Sequence, residues 1–155
     1  MAPCALILAC GNPLRSDDGL AWHAAELLRQ RLPESAAEIL CTHQLTPELA
    51  EPAARAQMVI VIDAAGTGAP GEVHCAAAPA DPGPGSFSHR LAPAQLLALC
   101  SALYGAHPQG FVASIAGADF DHGDTLSPTV RAALPQLVDA VVAIVLGECP
   151  TAPPQ

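Results

Sequence analysis

Two carboxylates, Asp17 and Asp18, stand side by side in GNPLRSDDGL (residues 11–20), just past an apolar run and just before a helical pattern. Adjacent acids in such a place can hold a cation, move a proton or cap the helix that follows. Other polar residues fall at comparable points: His43 and Gln44 in CTHQL, Asp63 at the end of the run in MVIVIDAA, and His89 in FSHRLAP. Two carboxylates with one histidine suit a divalent metal, zinc and nickel among them. Each residue also has a plainer reading. Asp17 or Asp18 caps the next helix, Asp63 accepts hydrogen bonds from loop amides, and His89 is simply solvated.

The elements that must position these groups can be read from periodicity. CALILAC (4–10) and MVIVIDAA (58–65) are continuously apolar, as strands buried on both faces are. Further strands are expected over 37–41, 72–76 and 111–115. Helices are expected over 18–31, from a Thr46 cap with Pro47 at the first position, over 93–103, and from a Ser127 cap to about residue 146. Strands alternating with helices predict an α/β three-layer sandwich, with a twisted, mostly parallel five-stranded sheet between helices. One domain over 1–148 and a flexible proline-rich tail over 149–155 are expected. In such sheets ligands collect at the carboxyl ends of the strands, where Asp17, Asp18, His43, Gln44, Asp63 and His89 all fall.

Composition removes several classes of function. The 155 residues carry a formal net charge of −9, which argues against nucleic acid or an anionic membrane as partner. All six basic residues are arginine, so the chain has no lysine for a P-loop, a Schiff base or a phospho-receiver site. No membrane segment is expected, because no stretch reads as about 20 apolar residues. The six cysteines contain no CxxC pair, and they read as reduced thiols of a cytoplasmic protein. GxGxxG, HExxH and GxSxG are absent. DFDHGDTLSPTV misplaces the glycine and the final acid of a calcium loop, so Asp119, Asp121, His122 and Asp124 read as a solvated loop.

Five stretches taken together, GNPLRSDDG, HQLTPELA, VIVIDAA, SHRLAPAQLLALCSALYG and GDTLSPTVRAAL, resemble the nickel–iron hydrogenase maturation proteases. The similarity runs in order from about Leu6 to Leu146. The resemblance implies an endopeptidase that removes the C-terminal extension of the hydrogenase large-subunit precursor after nickel insertion. It implies metal contacts from Asp18, Asp63 and His89, to nickel supplied by the precursor rather than owned by the protease. Asp17 would orient the site or move a proton, and His43 and Gln44 would face the precursor. Two positions depart from parts of the family: some members carry the histidine where Ala94 stands, and some carry glutamate in place of Asp18. A non-catalytic α/β module that binds a small molecule or the precursor is the alternative reading.

Overall fold

Apolar runs rich in Val, Ile and Leu can be covered on both faces, and here three of them pair in parallel at the centre of the sheet. The structure is a computed structural model that describes residues 4–78 and 91–148. His89 and the tail 149–155 therefore lie outside the described residues. The strands are β1 (Ala5–Cys10), β2 (Ala37–Thr42), β3 (Met58–Ala65), β4 (Val73–Ala77) and β5 (Gln109–Ala116). The helices are α1 (Leu20–Arg31), α2 (Ala50–Arg55), α3 (Pro93–Tyr104) and α4 (Pro128–Glu148), with 3-10 turns at Ser16–Gly19 and Pro47–Leu49. Strand order is β2-β1-β3-β5-β4, with only β4 antiparallel. The expected α/β sandwich on a mostly parallel five-stranded sheet is what forms.

Alternation along the strands divides the core in two. Ile7, Ala9, Ile60, Ile62, Ala113 and Ile115 point to the α1 and α4 side, and pack there with Leu28, Leu137 and Val141. Leu6, Leu8, Cys10, Val59 and Val61 point the other way, against Ala50 and Ala53 of α2 and Leu96 and Cys100 of α3. Side chains at the carboxyl ends of these strands inherit the same alternation, which decides the face on which each polar group emerges.

Two local expectations, on Thr46 and on the cysteines, are corrected. The Thr46 side chain makes no cap bond; Pro47 instead opens a 3-10 turn that leads into α2. The stretch Pro128–Gly147 of α4 is 20 residues long and reaches a mean hydropathy of 1.7 over 18 of them, enough by length and composition alone to cross a membrane. Its many Ala and Val residues include one stripe, from Val130 to Val145, that packs on the sheet. Among the cysteines, Cys10, Cys41, Cys75 and Cys100 are free, but Cys4 is disulfide-bonded. Sequence spacing does not reveal which thiols a fold brings together.

Ile60 is fully buried at the centre of β3. Ile60→Ala is expected to cost about 2–5 kcal/mol, through lost burial and the cavity left behind. Urea unfolding measures it; a cost below about 1 kcal/mol would mean that β3 is not the sheet's packed centre.

Candidate active site

The loop after β1 is closed by its own polar groups. Gly11 has φ 142, and a Cβ there would meet the Asp18 carbonyl oxygen at 1.9 Å, so glycine alone lets the turn fold back on itself. Asn12 Oδ1 accepts the Leu14 amide at 2.9 Å, and Asp18 Oδ2 accepts the Asn12 amide at 3.0 Å. These bonds fix the half-buried Asp18 carboxylate above the end of β1. Ser16 adopts φ 51, a conformation that costs a residue other than glycine about 1–2 kcal/mol. Its amide donates to the Gly123 carbonyl at 2.8 Å, and its hydroxyl to the Asp121 carbonyl at 2.9 Å, which hold the turn in that shape.

Asp17 faces away from Asp18's surroundings and is 0% exposed. Its Oδ2 accepts the amides of Ala118 and Asp119 at 2.8 and 2.9 Å and the Ser127 hydroxyl at 2.8 Å. Its Oδ1 accepts the Ser127 amide at 2.8 Å. Burial alone would raise its pKa. The Ser127, Ala118 and Asp119 amides and the Ser127 hydroxyl outweigh that and hold the carboxyl below the usual aspartate range. Neither acid caps α1, whose N-cap is Gly19. Instead Asp17 ties the β1 loop to the loop after β5 and to the start of α4, where the Ser127 hydroxyl accepts the Val130 amide at 3.3 Å. With its oxygens committed to these donors, Asp17 clamps the three segments together beside Asp18.

Asp63 follows the last β1–β3 pair, Ala9 with Ile62, and shares the face of Val59 and Val61. Its Oδ1 accepts the Ala64 amide at 2.8 Å. It lines a cavity of about 270 Å³ together with Cys10, His43, Gln44, Leu91 and Ser114. His43 meets Trp22 edge to face, with ring centroids 5.7 Å apart, and Trp22 Nε1 donates to the Thr42 carbonyl at 3.2 Å. The indole thus braces the end of β2 beside the cavity. Burial first, and then the Asp63 carboxylate, push the Cys10 thiol up to about 12. It stays protonated at neutral pH and is not set up as a nucleophile.

The structure thus gathers Asp63, His43 and Gln44 around one cavity and places Asp18 at the end of the neighbouring strand, outside the cavity lining. His89 lies outside the described residues. Among the described residues, no three His, Cys, Asp or Glu side chains come close enough to hold a metal. Asp119, Asp121, His122 and Asp124 are exposed, as a solvated loop should be. Sequence reasoning missed Ser127, Ala118 and Asp119 as partners of Asp17, and Ser114 as a wall of the cavity. The bonds to Asp17 span more than 100 residues, so no local signal announces them. A larger depression of about 420 Å³ opens among Arg29, Leu32, Glu34 and the start of β2. It lies at the amino end of that strand, away from these groups.

The α/β sandwich has the fold of solved hydrogenase-processing endopeptidases. The hydrogenase maturating endopeptidase HybD of E. coli is 26% identical, over 94% of this chain and 93% of its own, with a TM-score of 0.75. The [NiFe] hydrogenase maturation protease HybD of Thermococcus kodakarensis is 23% identical over 91% of this chain and 98% of its own (TM-score 0.64). The maturation protease HycI of Thermococcus kodakarensis KOD1 is 18% identical over 92% of each chain (TM-score 0.74). No protein-family model and no curated protein matches by sequence. In fold, and in its five motifs in order, the chain is similar to the hydrogenase maturation proteases.

The Asp17 clamp generates a pH-dependent prediction. Its folded pKa lies below the unfolded value of about 3.9. The clamp's contribution is therefore complete above that value and disappears as pH falls through the folded pKa. Asp17→Asn is expected to lose about 2–4 kcal/mol at pH 7, with the gap to wild type closing below about pH 4. Urea unfolding at pH 7 and pH 3 tests this, and an equal loss at both would show that the charge is irrelevant.

Proposed function

We propose that this protein is an endopeptidase that removes the C-terminal extension of a nickel–iron hydrogenase large-subunit precursor once nickel is in place. The observation that carries the reading is Asp63. It is a carboxylate near the end of the apolar central strand β3, in the wall of a cavity also lined by His43 and Gln44, in a chain 26% identical to the E. coli endopeptidase over nearly all its length.

In this reading Asp18 and Asp63 meet a nickel that arrives with the precursor and keeps its thiolate ligands there. His89 is the third contact. Oxygen and nitrogen donors left open on one side suit an ion shared with a substrate. Such an ion supplies Lewis-acid chemistry to the scissile amide. The chain's own residues bind and orient. The Gly11–Asp18 turn holds one carboxylate at its height above the sheet, β3 holds the other, and His43 and Gln44 form the side of the cavity that receives the precursor's C-terminal segment. The setting proposed is the cytoplasm: Cys10, Cys41, Cys75 and Cys100 are free thiols, against which stands the disulfide at Cys4.

Cleavage of nickel-loaded and nickel-free precursor by wild type and Asp63→Asn tests the proposal. Wild type should trim only the loaded precursor, and Asp63→Asn should lose at least about 100-fold in kcat/KM. Equal trimming of both precursors would remove nickel recognition. Binding of the precursor with no trimming at all would leave the chain a binding module.

A further inference from the structure

A row of side chains crosses the sheet at the level of Asp63, on the face that carries α2 and α3. Ser114 on β5 is the register partner of Asp63, and His74 on β4 is the register partner of Ser114. Val73 and Cys75 pack against the α1–α4 core. Alternation therefore sends His74 to the opposite face, the one that carries Asp63 and Ser114. Neighbouring strands lie about 4.8 Å apart, so the His74 backbone stands about 10 Å from that of Asp63, with Ser114 between them. Three residues of extended chain cover about that distance.

The His74 side chain is 69% exposed but not loose. Its Nε2 lies 3.0 Å from Glu72 Oε1, while Glu72 Oε2 accepts the Ala69 amide at 3.2 Å. One carboxylate thus joins the β3–β4 turn to the imidazole. An acid on Nε2 selects the tautomer with its proton there, which leaves Nδ1 as an acceptor. An exposed pair of this kind adds little to stability. The fold has small need of it, and it sits oriented beside the cavity wall.

We propose that His74, held by Glu72, is a substrate-positioning residue: its Nδ1 accepts a hydrogen bond from the precursor segment two or three residues from the bond cut at Asp63. The inference rests on the function proposed above, and it adds a second anchor that fixes how far the segment extends across the sheet. Ser114, whose residue lines the cavity between them, lies under the path of that segment. His74 orients the substrate and takes no part in bond breaking.

In cleavage of nickel-loaded precursor, His74→Ala is expected to raise KM about tenfold, with kcat changed less than about twofold, the size of one lost hydrogen bond. His74→Asn, which restores an acceptor near Nδ1, should bring KM back to within about threefold of wild type. Precursor binding is measured in parallel on Asp63→Asn and on Asp63→Asn with His74→Ala, where the second should bind about tenfold more weakly. That weakening supports the positioning role even if wild type does not cut, a result that would count against the endopeptidase reading alone. Unchanged KM together with unchanged binding overturns the role of His74 and leaves the proposed cleavage standing. A fall in kcat at constant KM overturns it too, because that would place His74 in the chemistry.

Discussion

A carboxylate sealed from water is tolerable only when hydrogen bonds replace its lost hydration, and Asp17 has four of them. Those bonds do more than neutralise a burial cost. Their donors come from the loop after β5 and from the first turn of α4, while Asp17 itself belongs to the turn after β1. Three segments that meet nowhere along the chain are therefore locked at one point. Asp18, the next residue, takes its position from that lock. The adjacent acids divide the work between them: one holds the architecture, and its neighbour is left to face the open edge.

The layers explain why the cavity lies on the α2–α3 side. Helices α1 and α4 cover their face of the sheet with a long, continuous core, and the ion pair between Arg31 and Asp139 joins them at the surface. On the other face α2 is only six residues long, and α3 begins at Pro93. At the carboxyl ends of β1, β3 and β5, Cys10, Asp63 and Ser114 line a cavity with Leu91 and Pro93. Among the described residues, this face carries the shorter helical cover.

Much of this was legible in the sequence. MVIVIDAA is strand β3 from first residue to last, as its short, β-branched apolar run suggests. Ser127-Pro128 marks the start of α4 through cap chemistry that needs no tertiary context. The role of Asp17 was not legible, since its donors lie 101 to 110 residues away. Nor was the place of His74, for VHCAA shows a short strand without showing which neighbour it pairs with, and only the register puts His74 in line with Asp63. The cap expected from Thr46 failed because the chain there tightens into a 3-10 turn.

The alternation of β3 has a further consequence, for insertions and deletions. Met58, Ile60 and Ile62 belong to one core, and Val59, Val61 and Asp63 to the other side. Adding or removing a single residue within the strand would turn Asp63 toward α1 and α4 and expose isoleucines to the cavity. The connecting loops can change length without that penalty. Length variation between relatives of this chain should thus collect in the loops, while the count of residues from Met58 to Asp63 stays fixed.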